Sequence, residues 1–163
     1  MNAMDLLKED HDQVKEMFDR FRDLGLEDRA EKQRLFNRIA EALEIHAELE
    51  ERIFYPAVRS VKSEDAMEIT LEAFEEHKIV ETLLRQIRSL ARGDARKDAK
   101  MKVLMESVEH HIEEEEDEIF GEASDLGDER LDDLGDQMQS LEADLLRERG
   151  EGAEVAEELA ART

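Results

Sequence analysis

The chain has 163 residues, a formal net charge of −23, 42% charged residues and no cysteine. That length suits one domain with a core of its own. The missing cysteines exclude disulfides, thiolate metal sites and thiol redox chemistry, and the negative field disfavours phosphate backbones and anionic lipid as partners. Helix formers dominate, and Pro56 is the one proline; this composition predicts an all-α fold. The opening MNAMDLLKEDH lacks a basic start followed by an apolar run, so no secretory signal is read there. No stretch reaches the apolar length of a membrane span. A cytoplasmic location is expected, with no nucleic-acid or membrane partner.

Helix-period apolar stripes run along most of the chain. The first carries Met4, Leu7, His11, Val14, Phe18 and Phe21 and stops near Gly25. The second carries Leu35, Ile39, Leu43, His46, Glu50 and Ile53 and is expected to end at Tyr55-Pro56, because proline breaks an interior helical ladder. The third carries Thr70, Phe74, His77, Glu81, Leu84 and Ile87 and stops near Gly93. The fourth carries Met101, Leu104, Val108, His111, Glu115 and Ile119 and is expected to stop at Gly121. The connections are short, which predicts antiparallel neighbours in a four-helix bundle. A fifth amphipathic segment holds Leu131, Leu134, Met138, Leu141 and Leu145 but no histidine. It is expected to pack on the bundle or on a second copy, as a homodimer contact. The acidic, alanine-rich tail after Gly150 is expected to fray. Residues 1–122 thus read as the bundle and 123–163 as a C-terminal helical extension.

The chain is also internally duplicated. A helix with a lone histidine is followed by a helix with His-x-x-x-Glu-Glu, twice; His11 and His46 are 35 residues apart, His77 and His111 34 apart. HAELEERIFYP (46–56) and HIEEEEDEIFG (111–121) align without a gap, including an aromatic nine residues after the histidine. Two helical hairpins related by a two-fold-like operation fit this pattern.

Four of the five histidines, His11, His46, His77 and His111, replace core hydrophobes near the middle of four different helices. Antiparallel packing brings such positions to one level, where the imidazole nitrogens need partners that an apolar layer cannot give. Glu50, Glu81 and Glu115 each follow a stripe histidine by four residues, which puts each pair on one helix face. Within the acidic run 113–118, a small rotation would exchange Glu115 for Glu116. His110 falls off the stripe and is expected either to be exposed or to support a ligand from behind. Imidazole and carboxylate without sulfur suit iron, manganese or zinc. Seven candidate ligands (His11, His46, Glu50, His77, Glu81, His111 and Glu115) exceed what one tetrahedral zinc needs and match two octahedral ions.

These motifs resemble the hemerythrin-like family, the HHE cation-binding domains, over residues 3–121. The shared features are a lone histidine in the first and third helices and His-x-x-x-Glu-Glu in the second and fourth, the second ending in aromatic-Pro. The segment LDDLGDQM (131–138) is similar to C-terminal extensions of some bacterial members. The resemblance implies an up-down-up-down bundle and a non-haem centre of two iron ions with an oxo or hydroxo bridge. It further implies that Glu50 and Glu115 are bridging carboxylates, with the four stripe histidines terminal. Oxygen carriers of the family have a fifth histidine four residues after the third-helix histidine; this chain has Glu81 there, which counts against reversible oxygen carriage. The iron–sulfur-repair branch normally carries a cysteine-bearing domain, and this chain has no cysteine. The function expected is a di-iron protein that reacts with or senses dioxygen, peroxide or nitric oxide, with catalase-like peroxide decomposition favoured. The alternatives are a non-catalytic iron or oxygen sensor, an iron store, or a structural metal bundle for protein interaction.

Overall fold

The computed structural model describes residues 1–162, and all of their side chains except those of 153, 155 and 156. Five helices account for nearly all of them. Helix α1 is Ala3–Asp23. Helix α2 begins as Arg29–Leu49, passes through a π-helical turn at Glu50–Phe54 and ends as Tyr55–Arg59. Helix α3 is Glu64–Ser89. Helix α4 begins as Ala95–Glu114, passes through a second π-turn at Glu115–Ile119 and ends as Phe120–Ala123. After a 3₁₀ turn, α5 runs Asp128–Ala161.

The helix starts follow from local chemistry. Asn2 accepts from the Asp5 N–H, Ser63 from that of Ala66 and Asp94 from that of Arg96. Each thereby satisfies an amide that has no partner inside its helix. Helices α1 and α2 pack as one antiparallel hairpin, α3 and α4 as the other, which gives the expected antiparallel bundle with an added fifth helix.

Two expected helix ends lie elsewhere. The second and fourth helices do not stop at Pro56 and Gly121 but run on to Arg59 and Ala123. In each, a π-turn bridges the site: the Tyr55 N–H donates to the Glu50 carbonyl and the Phe120 N–H to that of Glu115. These i→i−5 bonds widen the ladder, and Pro56 enters beyond it, in the first turn of a renewed α-helix that does not use its missing N–H. Similarly, the tail after Gly150 continues α5 to Ala161, in keeping with its alanine and glutamate content.

The apolar stripes bury as two clusters. One holds Val14, Phe18, Leu35, Ile39, Leu84 and Leu104. The other, at the opposite end of the bundle, holds Leu7, Leu49, Phe54, Tyr55, Val58 and Ile119, together with Leu131, Leu134 and Met138 of α5. Each large side chain buried this way contributes about 1.5–3 kcal/mol. Gly135 lets α5 approach the chain's first residues; a Cβ there would collide with the Met1 carbonyl oxygen. Between the two clusters lies a layer of buried polar side chains: His11, His46, His77, His111, Glu50 and Glu115. Among the described residues, no helix is long and apolar enough to cross a membrane.

Candidate metal centre

One histidine from each bundle helix enters this layer, and the imidazoles meet in pairs. His11 Nε2 is 3.1 Å from His46 Nε2, and His77 Nε2 is 3.2 Å from His111 Nε2. The outward nitrogens explain which way the rings face. His11 Nδ1 lies 2.9 Å from Glu116, His46 Nδ1 3.0 Å from Asp10 and His111 Nδ1 3.3 Å from Glu76. An imidazole that donates from Nδ1 presents a lone pair at Nε2. Two lone pairs about 3 Å apart repel unless a proton or a cation lies between them.

The two carboxylates complete the layer. Both Glu50 and Glu115 are fully buried. Glu50 Oε1 approaches His46 Nε2 at 3.0 Å and His77 Nε2 at 3.4 Å. Glu115 Oε1 approaches His11 Nε2 at 3.4 Å, and its Oε2 approaches His111 Nε2 at 3.2 Å. Each glutamate thus reaches both histidine pairs. Yet Glu50 Oε1 and Glu115 Oε1 accept no hydrogen bond. Buried, unpartnered carboxylate oxygens are costly, and a metal ion is the partner that such oxygens and facing imidazoles can share. Ligand atoms of His11, His46, Glu50 and Glu115 all lie within 4.8 Å of one another, as do those of Glu50, His77 and His111. The donors present therefore fit cation binding, in two groups that have Glu50 in common.

Tyr55 closes the layer on one side. Its hydroxyl lies 2.6 Å from Glu115 Oε2 and 2.9 Å from Glu50 Oε2, so that its one proton is shared between the two carboxylates, and lies 3.4 and 3.5 Å from the Nε2 atoms of His111 and His77. Burial and the two carboxylates push its ionisation well above the ordinary tyrosine value. For the imidazoles, burial opposes the charged form, but the carboxylates outweigh it. Glu50 and Glu51 hold His77 up at about 9, and Glu115 and Glu76 hold His111 up at about 10. Burial opposes charge on Glu50 as well, yet His46 beside it keeps its carboxyl well below the usual range. Without metal, protons supply the positive charge that the layer requires.

The structure brings six of the seven expected ligands together in this layer and sets the seventh apart. Glu81 joins neither ligand group; it is exposed and lies on the wall of a nearby cavity. The cause is the antiparallel packing. Four residues on from His46 or His111 leads toward the cluster that contains Phe54 and Ile119. Four on from His77 leads the opposite way, toward Leu84 and Ile87. Glu115, rather than Glu116, is the fully buried glutamate, and His110 is exposed against Glu114. Asp10, Glu76 and Tyr55 were not singled out. The signal was in the duplication: an acid precedes each lone histidine, and the aromatic nine residues after His46 carries a hydroxyl.

Opposite Tyr55, the four histidines border a cavity of about 250 Å³. Val14, Leu43, Val80, Leu84, Val108 and Ile112 line its apolar wall. Asp10, Glu44, Glu48, Glu51 and Glu81 also border it, as does Arg149 of α5. Glu44 holds Arg149 at 2.9 Å and Arg88 at 2.6 Å.

The profile of the Hemerythrin HHE cation binding domain matches residues 2–123. The chain belongs to the hemerythrin HHE cation-binding family. The matched residues contain all four helices that supply the histidines, and α5 lies beyond them. A crystal structure of a hemerythrin HHE cation-binding domain-containing protein from Mycobacterium kansasii superposes with a TM-score of 0.77 at 22% identity, covering 89% of this chain and 87% of that one; the likeness establishes the fold. A protein of Nostoc sp. (strain PCC 7120) described as a DNA nickase is 30% identical over 120 residues, 74% of this chain. The chain spans about a third of that relative's length, 33%.

Proposed function

We propose that this chain holds two iron ions between its helices and decomposes hydrogen peroxide. The observation that carries the reading is the pairing of imidazole lone pairs around two buried carboxylates with unpartnered oxygens. His11 and His46 would bind one ion, His77 and His111 the other, with Glu50 and Glu115 shared. Nitrogen and oxygen donors without sulfur suit iron, and the tyrosine hydroxyl adds a further hard oxygen donor beside the second ion. An iron pair supplies the two-electron redox chemistry by which two molecules of hydrogen peroxide become one of dioxygen and two of water.

The remaining residues set the conditions for that chemistry. The apolar cavity wall admits small molecules and limits water. The acids around it disfavour anions, so neutral peroxide, dioxygen or nitric oxide enters at less cost than superoxide or nitrite. Asp10, Glu116 and Glu76 hold the imidazoles with Nε2 inward, and Tyr55 fixes the carboxylates from the opposite side. DNA nicking, the activity named for the Nostoc relative, is not assigned to this chain, because a net charge of −23 repels a phosphate backbone.

The test is oxygen evolution from hydrogen peroxide by iron-loaded protein, against the metal-free protein and an equal amount of free iron. Turnover above free iron supports the reading. Two bound irons without turnover would point to an oxygen or iron sensor, or to a small iron store.

A further inference from the structure

The two halves of the centre are built by a repeated pattern, but they are not equal. In the half formed by His11 and His46, both outward nitrogens meet carboxylates, at 2.9 Å to Glu116 and 3.0 Å to Asp10. In the half formed by His77 and His111, the corresponding distances are 3.8 Å to Glu51 and 3.3 Å to Glu76, and His77 Nδ1 has no hydrogen-bond partner. A partner on the outward nitrogen fixes tautomer and ring orientation and makes imidazole a better ligand.

The carboxylate oxygens differ in the same direction. Glu50 Oε1 and Glu115 Oε1 are both without hydrogen bonds; Glu115 Oε1 faces His11, while Glu50 Oε1 lies closer to His46, at 3.0 Å, than to His77, at 3.4 Å. Glu115 Oε2, which faces His111, already accepts from Tyr55, as does Glu50 Oε2. One substitution in the repeat explains this. The position of Tyr55 is occupied in the other hairpin by Phe120, whose ring stacks beside His11 at 6.2 Å and offers no hydroxyl. So the first half presents two oriented imidazoles, a free Glu115 oxygen and the nearer approach of Glu50 Oε1, while the second shares that Glu50 oxygen at longer range, meets a Glu115 oxygen already bonded to Tyr55 and holds His77 without a partner on its outward nitrogen.

We infer that the two metal positions are filled and emptied in order: the His11–His46 half binds a divalent ion first and holds it longest, and the His77–His111 half is the exchangeable one. This rests on the two-ion reading given above. It makes Asp10 and Glu116 positioning residues for the tight ion, and Glu76 one for the labile ion.

The test uses the full-length metal-free protein titrated with zinc, a diamagnetic probe, and followed through the histidine ring resonances by NMR. The first equivalent should shift His11 and His46, the second His77 and His111. A competing chelator should then remove zinc in two phases of equal amplitude, the His77–His111 ion leaving first. Asp10→Ala should weaken the first ion about 10- to 100-fold and abolish the slowly exchanging His46 Nδ1–H resonance. Asp10→Asn, whose amide oxygen still accepts from Nδ1–H, should restore that resonance and most of the affinity. Glu76→Ala should weaken only the second ion. Two zinc ions that bind or leave together, or a first equivalent at His77 and His111, would overturn the ordering while leaving the two-ion reading intact. Saturation at one zinc per chain would overturn both.

Discussion

Tyr55 and Phe120 stand at equivalent places in the two hairpins, nine residues beyond His46 and His111, and only Tyr55 donates to the buried carboxylates Glu50 and Glu115. Tyr55→Phe removes the hydroxyl proton that two buried carboxylate oxygens share. Hydrogen bonds to charged groups contribute about 1.5–3 kcal/mol. The metal-free variant should lose about that much stability in urea denaturation. A midpoint equal to that of the unaltered protein would show that the hydroxyl contacts contribute nothing.

The stripe histidines and the exposed histidine should separate cleanly. His46→Ala and His111→Ala each remove one inward ligand, so iron content after reconstitution should fall by one ion or more. His110→Ala removes an exposed side chain that pairs with Glu114 and lies near Glu76, outside the buried layer, and should leave the iron content unchanged. Loss of iron from the His110 variant would mean that the surface group of Glu76, His110 and Glu114, not the buried layer, binds metal.

Glu81 provides a contrast with the glutamates of the other helices. Glu50→Gln or Glu115→Gln removes a buried charge that the proposed ions would share, and should cost most of the bound iron. Glu81→Gln alters only the cavity wall and should retain two ions. The Glu81 variant should also admit azide more readily, since one repelling charge is gone. Iron lost from Glu81→Gln to the same extent as from Glu50→Gln would place its carboxylate on the metal after all.

The metal-free protein should respond to pH in a defined window. His77 is held up at about 9 and His111 at about 10, whereas an unfolded histidine titrates at about 6.5. A raised folded-state value means that the stabilisation is complete below the unfolded value and is lost as pH rises through the folded one. The urea midpoint of metal-free protein should therefore fall progressively from about pH 7 to about pH 10. The iron-loaded protein, whose imidazoles face metal instead of protons, should show a much flatter profile. Parallel profiles for the two forms would contradict this account of the charge in the layer.

Much of this architecture was legible in the residues. The stripes carrying Leu7 to Phe21 and Met101 to Ile119 fixed the helix phase, and phase decides that His111 is buried while His110 is not. The duplication paired the hairpins. Two features were hidden for physical reasons. Spacing along one helix carries no sign, so His77 and Glu81 looked like His46 and Glu50 until antiparallel packing reversed their direction. Asp10 and Glu76 act across the hairpin on His46 and His111, and in a chain with 46 acidic residues composition alone cannot distinguish them. Pro56 was a third difficulty: the rule that proline ends a helix holds for an α-helical ladder, and the π-turn at Glu50–Phe54 carries the chain past it.

The most direct test of the centre is the iron stoichiometry of protein reconstituted with ferrous iron and passed through gel filtration to remove loosely held metal. Two irons per chain in the unaltered protein, falling in Glu50→Gln and Glu115→Gln but not in Glu81→Gln, is the result expected of two ions sharing the buried carboxylates. One iron per chain, or the same content in all three variants, would contradict it.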